Sequence, residues 1–230
     1  MNKKILVVDD EPEILDLVSI NLRAANFAVM TAETGTTGLK KAQNSKPDLI
    51  LLDLLLPEMP GIEVCKILKR DPQTQAIPII IVTAKIEMTD RVFGFESGAD
   101  DYIPKPFSPR ELVLRVQSFL RRHITVSARS TYHQNGVLTV DCHRHEVRVK
   151  GIPVELTATE FRLLDLLLEH RGKVQNREYL LNHVWGHESL IDTRTVDAHM
   201  RRLREKLGRA SSYIETIRNV GYRMHDSNEK

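Results

Sequence analysis

Cysteine is scarce in this 230-residue sequence, which contains only Cys65 and Cys142. The two cysteines fall in different halves of the chain, so a disulfide framework is not expected and a reducing cytoplasm fits the composition. Long hydrophobic runs are also missing. The apolar run near the start, Ile5–Val8, is short and ends in aspartates, so we expect neither a signal peptide nor a membrane span.

The sequence also lacks a large excess of either charge. Hydrophobic residues make up 41% of the chain and charged residues 28%, with a formal net charge of +2, a balance typical of folded globular proteins. This small net charge conceals an asymmetry, because residues 194–223 contain 8 Lys and Arg against 3 Asp and Glu. A local positive excess favours binding to a phosphate backbone.

The apolar pattern changes near the middle of the chain and indicates two domains. In the first half, short apolar runs alternate with segments of helical period; the runs are Lys4–Val8, Ala28–Thr31, Leu49–Leu52, Ile77–Val82 and Asp101–Pro104. Continuous apolar strands that alternate with helices predict an α/β flavodoxin-like, doubly wound domain with five parallel strands. We expect this domain over residues 1–122, followed by a polar linker over residues 123–134.

The second half, residues 135–226, predicts a compact α+β domain. Short alternating strands come first, and Thr157 and Glu160 then form a capping-box pattern that predicts the start of a helix. Two more helices and a hairpin that turns at Asn219 are predicted over Asn176–Gly186, Thr193–Leu207 and Tyr213–Met224.

Acidic side chains gather where the predicted strands end. The first strand leads into Asp9 and Asp10, and the third leads into Asp53. Ligands of an open parallel sheet bind outside the carboxyl ends of its strands, and this topology places the first strand beside the third. Crowded carboxylates repel one another unless a cation such as Mg²⁺ binds them. We expect Asp10 and Asp53 to bind Mg²⁺ directly, Asp9 to bind it through water, and the main-chain carbonyl of Leu55 to contribute.

Two further residues at strand ends suit phosphoryl chemistry. Thr83 follows the fourth apolar run, and Lys105 follows the fifth. Asp53 would attack phosphorus as a nucleophile, while Lys105 countered the developing charge and Thr83 donated a hydrogen bond to a phosphoryl oxygen. Each residue alone has an ordinary explanation; an acidic pair before a helix, for example, is often a cap. Their joint position at strand ends favours a single site.

Four stretches of the first half resemble the receiver domain of bacterial two-component response regulators, over about residues 3–122: VVDDEPEI, PDLILLDLLLPEMPGIEVC, IPIIIVTAK and SGADDYIPKPFSPREL. The resemblance implies that a sensor histidine kinase phosphorylates Asp53 and that the Lys105–Pro106 peptide bond is cis. It implies a switch pair of Thr83 and Tyr102, and no enzymatic activity beyond self-phosphorylation and self-dephosphorylation. It further implies a dimerisation face of Arg91, Val92, Phe95, Asp100, Asp101, Glu111, Val113 and Arg115.

The segment DTRTVDAHMRRLREKLG predicts a helix with two distinct faces. One face is apolar and contains Val196, Met200, Leu203 and Leu207, while the arginines lie largely on the other faces. Such a helix suits the major groove of DNA, where arginine binds guanine or phosphate. The same pattern also occurs in ordinary surface helices, so the neighbouring segments are needed for the interpretation.

Together with LTATEFRLLDLLLEHRGKVQNREYLLNHVWG and IETIRNVGYR, this helix resembles the winged helix-turn-helix effector of the OmpR/PhoB family, over about residues 136–224. The resemblance implies a homodimer, formed on phosphorylation, that binds tandem half-sites in double-stranded DNA, and a contact with RNA polymerase through residues 186–192. The implied DNA-binding residues are Arg194, Thr195, Asp197, His199, Arg201, Arg202, Arg204, Thr216, Arg218, Gly221 and Tyr222. Within the family, the chain looks most similar to regulators of the phosphate regulon.

Two other functions fit parts of the sequence. A Mg²⁺-dependent aspartyl-phosphate phosphotransferase of the haloacid dehalogenase type needs a second acid two residues after the nucleophile, where this chain has Leu55. A phosphorylation-gated adaptor without DNA binding would leave the arginines of 201–204 unexplained. His143 and His145 are expected on one face of a strand, and we expect no metal site there because no third ligand is evident.

Overall fold

A computed structural model of the chain describes residues 2–84, 98–125, 132–186 and 193–227. The chain divides into two compact units, Met1–Leu120 and Arg121–Lys230. The first unit has one described sheet and the second has two, and each unit has its own buried apolar residues. None of the described helices is both long enough and apolar enough to cross a lipid bilayer.

The first unit is built on a parallel sheet of five strands in the order β2-β1-β3-β4-β5. The strands are β1 Lys4–Val8, β2 Ala28–Ala32, β3 Leu49–Leu52, β4 Ile79–Thr83 and β5 Asp101–Pro104. Every residue of β3 and β4 is buried, as expected where helices cover both faces of a parallel sheet. The predicted flavodoxin-like fold is confirmed. The fourth strand begins two residues later than its apolar run, because Pro78 has no N–H to donate.

Four described helices belong to this part of the chain: α1 Pro12–Ala24, α2 Gly35–Ser45, α3 Gly61–Arg70 and α4 Pro109–Thr125. Helix α1 opens with Pro12, whose fixed φ suits a first helical position and whose missing N–H is not needed there. Leu15, Val18 and Leu22 are spaced by three and four residues and are buried in the core of the unit. The apolar stripe at helical spacing therefore packs α1 against the sheet.

The strand register brings the site residues to one edge of the sheet. The last residues of β1 and β3 are paired, so Asp9 and Asp53, which follow them, lie side by side. Thr83 closes β4 and is paired with the last residue of β5, after which Lys105 leaves the sheet. The residues that end four neighbouring strands therefore meet at one edge.

The second unit contains two antiparallel sheets and three described helices. The first sheet runs β6 Tyr132–Asn135, β7 Leu138–Asp141, β8 Glu146–Val149 and β9 Ile152–Pro153. The helices are α5 Ala158–Glu169, α6 Arg177–Val184 and α7 Arg194–Leu207, and a 3-10 helix, Gly208–Tyr213, follows them. The second sheet has the order β10-β12-β11, from β10 Gln175–Asn176, β11 Ile214–Ile217 and β12 Gly221–Met224. The predicted winged helix-turn-helix fold is confirmed.

Cap and turn chemistry sets the boundaries of these elements. The Thr157 side chain accepts a hydrogen bond from the Glu160 N–H at 3.3 Å, and the Glu160 carboxylate accepts one from the Thr157 N–H at 2.8 Å. This capping box starts α5, as predicted. Asn219 has a φ of 61° between β11 and β12, a conformation that Asn tolerates, and the predicted hairpin is confirmed.

The strand predicted through His143 and His145 is wrong. Residues 142–145 form a turn between β7 and β8. The Asp141 carboxylate accepts the main-chain N–H groups of His143 and Arg144, both at 3.0 Å. Aspartate side chains stabilise turns in this way, and this local hydrogen bonding outweighs the alternating pattern that suggested a strand.

Helix α7 has the apolar face that its sequence predicts. Val196, Met200, Leu203 and Leu207 are at most 1% exposed. They pack within the same unit as α5, whose Leu163, Leu164 and Leu167 are also fully buried. The apolar face therefore packs inward, and the exposed side chains of Arg194 and Arg201 lie on other faces of the helix.

A buried ion pair joins α3 to the segment before β5. Lys69 Nζ lies 2.6 Å from Asp100 Oδ2, and the two side chains are 5% and 0% exposed. The same carboxylate oxygen accepts the main-chain N–H of Ile79 at 2.9 Å, and the ammonium donates to the carbonyl oxygen of Ile77 at 2.7 Å. Because both charges are removed from water, each depends on the other for compensation.

We predict that Asp100→Ala, which leaves the Lys69 ammonium buried without its counter-charge, lowers the free energy of unfolding by about 3–5 kcal/mol. The matched control is Lys3→Ala, which breaks an exposed ion pair with Asp48 and should cost less than about 1 kcal/mol. Urea denaturation followed by circular dichroism measures both variants. Equal losses of unfolding free energy in the two variants would show that burial does not determine how much an ion pair contributes to stability.

Candidate functional site

An acidic pocket lies at the carboxyl edge of the first sheet. Asp9, Asp10 and Asp53 each place a carboxylate oxygen within 4.8 Å of the others. Asp9 and Asp53 are 2% and 3% exposed, whereas Asp10 is exposed. The Asp53 N–H donates to the carbonyl oxygen of Val8 at 2.9 Å, which holds the ends of β1 and β3 together. The three carboxylates that were expected to meet do so.

The Lys105 ammonium lies among these acids. Its Nζ is within hydrogen-bond distance of three carboxylates: 2.7 Å from Asp53, 2.8 Å from Asp9 and 2.9 Å from Glu11. Glu11 is not among the residues predicted for the site, although it directly follows the two aspartates in the sequence. The peptide bond between Lys105 and Pro106 is cis, as predicted.

Burial and ion pairing act in opposite directions on the pKa values of the pocket. Burial raises the pKa of Asp9 above its ordinary value, and the hydrogen bond from Lys105 opposes this effect without cancelling it. Burial alone would lower the pKa of Lys105, but the hydrogen bonds to Asp53, Asp9 and Glu11 outweigh it and raise that pKa. Lys105 is therefore an ammonium at neutral pH.

The charge and donor atoms of the pocket fit a divalent cation. Three neighbouring carboxylates exceed the single ammonium in charge, and Mg²⁺ prefers carboxylate oxygens as protein ligands. Asp10 is exposed, so one of the acids is accessible to a hydrated ion. The set of oxygen donors suits Mg²⁺ better than a metal that prefers thiolate or imidazole.

The loop after β3 is held close to Asp53. The Leu55 N–H donates to Asp53 Oδ1 at 3.0 Å, while the Leu55 side chain is 49% exposed. A Cβ on Gly61 would lie 1.8 Å from the Asp53 carbonyl oxygen, so the approach of α3 to this loop requires glycine. Gly61 is not among the predicted site residues, because only the folded chain brings it to Asp53.

The predicted switch residues are buried on neighbouring strands. Thr83 is 0% exposed, and its carbonyl oxygen accepts the Lys105 N–H at 2.9 Å. Tyr102 lies on β5, which pairs with β4, and is 4% exposed. Lys105 therefore contacts the acids through its side chain and the end of β4 through its main chain.

The predicted dimerisation residues have different environments. Three of them lie outside the described residues: Arg91, Val92 and Phe95. Asp100 is buried in the ion pair that joins α3 to β5, so its carboxylate faces into its own unit. On α4, Arg115 Nη2 lies 3.0 Å from Glu111 Oε1 one turn earlier, and Val113 packs against the core. Asp101 is 3% exposed.

A second candidate site consists of α7 and the hairpin β11–β12. Four of its predicted residues are exposed: Arg194, Arg201, Thr216 and Arg218. Thr195 and His199 are 2% and 0% exposed, so a ligand outside the unit cannot reach them. Gly221 is buried as well, and a Cβ there would lie 2.0 Å from the Gln175 carbonyl oxygen. Gly221 therefore serves the pairing of β10 with β12.

Asp197 connects the hairpin to α7. Its Oδ1 accepts hydrogen bonds from the Tyr222 hydroxyl at 2.6 Å and from Arg177 Nε at 2.8 Å. The Arg177 guanidinium also lies 5.1 Å from the centroid of the Tyr222 ring, within cation–π range. Burial, followed by the bond to Asp197, raises the pKa of Tyr222 to about 12. Arg177 is not among the predicted residues, because it belongs to α6 and reaches the site only in the fold.

Two arginines predicted to bind DNA make contacts within their own unit. Arg204 Nη2 donates to the Ile214 carbonyl oxygen and to Thr216 Oγ1, both at 2.8 Å. Arg202 Nη2 lies 3.0 Å from Nδ1 of His199. Arg204 therefore ties α7 to β11, as Asp197 ties it to β12.

Comparison with known proteins finds matches for both units. The family model of the response regulator receiver domain matches residues 5–117, and that of the C-terminal domain of transcriptional regulatory proteins matches residues 151–224. The chain is 44% identical over 238 residues to the alkaline phosphatase synthesis transcriptional regulatory protein PhoP of Bacillus subtilis (strain 168), with 98% of both chains covered. It is 42% identical over 226 residues to the phosphate regulon transcriptional regulatory protein PhoB of Escherichia coli (strain K12), with 97% of this chain and 98% of that protein covered. The solved structure of a RitR mutant, 32% identical, has a TM-score of 0.77 and covers 98% of this chain and 100% of its own.

The raised pKa of Asp9 leads to a pH-dependent prediction. A carboxyl group whose pKa is higher in the folded than in the unfolded chain lowers stability progressively as the pH rises above its ordinary value of 3.8. Asp9→Asn removes this loss while keeping the side-chain shape. The variant should therefore be more stable than the parent at neutral pH, and this advantage should vanish below the ordinary pKa.

Urea denaturation at both pH values, without divalent cations, measures the difference. Asp16→Asn, which neutralises an exposed acid on α1, is the matched control and should show no comparable gain. An Asp9→Asn variant that is less stable than the parent at neutral pH would contradict the argument.

Proposed function

Because the chain belongs to the OmpR/PhoB family of response regulators, we propose that phosphorylation of Asp53 switches on its binding to DNA. A receiver domain and a DNA-binding domain in one chain make it a phosphorylation-activated transcription regulator. The observation that supports Asp53 as the phosphoacceptor is its buried carboxylate, 2.7 Å from Lys105 in the acidic pocket.

The proposed reaction transfers a phosphoryl group to a carboxylate oxygen of Asp53. That oxygen attacks the phosphorus of the donor and forms a new O–P bond, while the bond from phosphorus to an imidazole nitrogen of a sensor histidine kinase breaks. Lys105 stands beside Asp53, where it can stabilise the added negative charge. Hydrolysis of the same acyl phosphate returns the resting state, and no further enzymatic activity is proposed.

We assign Asp9, Asp10 and Asp53 as the residues that would hold Mg²⁺, with the main-chain carbonyl of Leu55 as an additional ligand. The proximity of the three carboxylates supports this assignment. Asp10 and Asp53 would bind the ion directly, and Asp9 through water. When bound, the cation supplies positive charge next to the phosphoryl oxygens. The hydrogen bond from the Leu55 N–H to Asp53 keeps that part of the main chain beside the pocket.

We propose that Thr83 and Tyr102 carry the change from the pocket to the dimerisation face. Thr83 would turn its hydroxyl to the phosphoryl group, and the Tyr102 ring would hold the inward position; their burial on paired strands supports this. The proposed face contains Asp101, Glu111, Val113 and Arg115, together with Arg91, Val92 and Phe95. Asp100 is left out because its carboxylate pairs with Lys69 inside its own unit. Phosphorylation would shift the receiver from a resting conformation toward one that dimerises through this face.

We propose that the exposed residues of the second unit bind double-stranded DNA. Arg194 and Arg201 of α7 would enter the major groove, and Thr216 and Arg218 of the hairpin would contact the neighbouring backbone. A second set holds the hairpin and α7 in one orientation: Asp197, Arg204 and Tyr222. Arg202 is left out of the contact set because it lies against His199 of the same helix. Thr195, His199 and Gly221 are left out of the contact set because they are buried.

We propose that a dimer places its two DNA-binding units on tandem half-sites, so that each site raises the effective concentration at the other. RNA polymerase would be contacted through residues 186–192, of which only Gly186 belongs to the described part of the chain.

The proposed site of action is the cytoplasm, where the DNA and the kinase domain meet. A haloacid dehalogenase-type reaction is not supported, since Leu55 occupies the position of the required second acid.

The phosphoacceptor is tested with a labelled small phosphoryl donor and Mg²⁺. We predict that Asp53→Ala reduces label incorporation to background, because the variant lacks the carboxylate that would attack phosphorus beside Lys105. Asp48→Asn, which alters an acid that pairs with Lys3, is the control and should keep full incorporation. Acid-stable label on the Asp53→Ala protein would refute the assignment.

DNA binding is tested by selecting bound duplexes from a random library, with and without the phosphoryl donor. Affinities are then measured on the enriched duplexes, which we expect to carry tandem half-sites. We predict that the donor tightens binding by the parent protein. Arg201→Ala should weaken binding about 10-fold, and the slope of log affinity against log salt should fall by about 1 if this arginine binds phosphate.

Arg144→Ala removes an exposed arginine from the turn between β7 and β8 and is the matched control. Its binding should equal that of the parent. Equal losses in the two variants would mean that general positive charge, and not α7, accounts for the affinity. Absence of any enriched duplex would favour the adaptor function.

A further inference from the structure

Three side chains of types that can bind a metal ion lie close together in the second unit, where the four-stranded sheet meets α5. His133 belongs to β6, Cys142 follows β7 and Asp165 belongs to α5. One ligand atom from each lies within 4.8 Å of the other two. We propose that these three residues bind a divalent transition-metal ion, with Zn²⁺ as the best fit, independently of phosphorylation.

The distances fit a tetrahedral site. Cys142 Sγ lies 3.1 Å from Asp165 Oδ1, and His133 Nε2 lies 3.4 Å from the same oxygen. Ligand atoms bound to zinc at about 2.0–2.3 Å lie roughly 3.3–3.8 Å apart when the geometry is tetrahedral. Two of the three separations therefore agree with a shared ion to within a few tenths of an ångström. The third separation, between the ligand atoms of His133 and Cys142, is no more than 4.8 Å. These two atoms would have to move closest together when an ion binds.

The imidazole of His133 provides an independent observation. Its Nε2 is buried and has no hydrogen-bond partner within the described ranges, although buried polar atoms are nearly always satisfied. The charge pair with Asp165, at 3.4 Å, forms only when the ring is protonated. When the ring is neutral with its proton on Nδ1, Nε2 keeps an unused lone pair within 4.8 Å of the ligand atoms of Cys142 and Asp165. A metal ion at that position would satisfy it.

The donor types select the metal. Imidazole nitrogen, thiolate sulfur and one carboxylate oxygen are ligands of Zn²⁺, whereas Mg²⁺ prefers oxygen alone. Cys142 is 1% exposed, but the Asp165 side chain is 20% exposed, so an ion and a water ligand can enter from that side. As the Sγ–metal bond forms, the Cys142 thiol loses its proton to solvent. Three protein ligands leave the fourth position to water.

The proposed ligands form no compact sequence motif, so the sequence alone does not reveal this site. His133 lies in β6, Cys142 follows β7 and Asp165 lies on α5. Cys142 is next to His143, which belongs to the turn between β7 and β8. A bound ion would join the sheet to α5 and thereby stabilise the folded unit by mass action.

The test is a Co²⁺ titration of the reduced full-length chain in excess Mg²⁺, which occupies the acidic pocket of the first unit. We expect a thiolate-to-cobalt charge-transfer band that saturates at one equivalent and is displaced by Zn²⁺. Zn²⁺ should also raise the Tm of the protein by several degrees. A titration without a thiolate band would overturn the proposal.

Variants identify the ligands. Cys142→Ala should abolish the band, and His133→Gln or Asp165→Asn should weaken Co²⁺ binding at least 10-fold. The matched controls, Cys65→Ala and His143→Ala, remove a buried thiol of the other unit and an exposed histidine of the neighbouring turn, and both should keep the band. Circular dichroism and DNA binding show whether each variant is folded; should Cys142→Ala fail to fold, the two conservative variants decide the question. A band that survives in all three ligand variants, or that is lost with Cys65, would overturn the site.

Discussion

The ammonium of Lys105 is the charge on which the first unit depends. The parallel register leaves Asp9 and Asp53 side by side at the end of β1 and β3, and both are buried. Two such carboxylates repel each other unless a positive group compensates them. Lys105 lies 2.7 Å from one and 2.8 Å from the other, so β5 has to deliver this residue to the same edge. The strand order of this unit therefore also determines the charge balance of its acidic pocket.

In the second unit, positive charge is in excess around α7 and the hairpin, and here too ion pairs and hydrogen bonds between elements compensate buried or crowded charges. Asp197 accepts hydrogen bonds from Arg177 and Tyr222, and Arg204 donates to Thr216. These contacts connect α7 to both strands of the hairpin before any ligand arrives. Since the groups are already ordered, DNA binding does not have to order them again, and that preorganisation favours affinity.

Local sequence patterns predict most of the helices and strands, but they do not predict contacts between residues of different elements. Five apolar runs and a capping box at Thr157 are sufficient for the sheet and for the start of α5. Glu11, Gly61 and Arg177 are functional neighbours that periodicity does not reveal, because each acts on a residue of another element. The strand predicted through His143 is wrong for a local reason, the Asp141 side chain that stabilises a turn. The burial of His199 likewise depends on packing, which a helical pattern of alternating polarity does not show.

Lys105 already has partners before any phosphoryl group arrives, and its side chain is only 9% exposed. The proposed phosphorylation of Asp53 would therefore exchange one set of ion pairs for another around the same ammonium. Mobile ions screen buried pairs much less than exposed ones, and whatever screening occurs acts on both sets at once. The balance between resting and activated receiver should consequently vary little with the ionic strength of the surroundings. Salt then acts on the output of the protein chiefly at the DNA, where counterions are released.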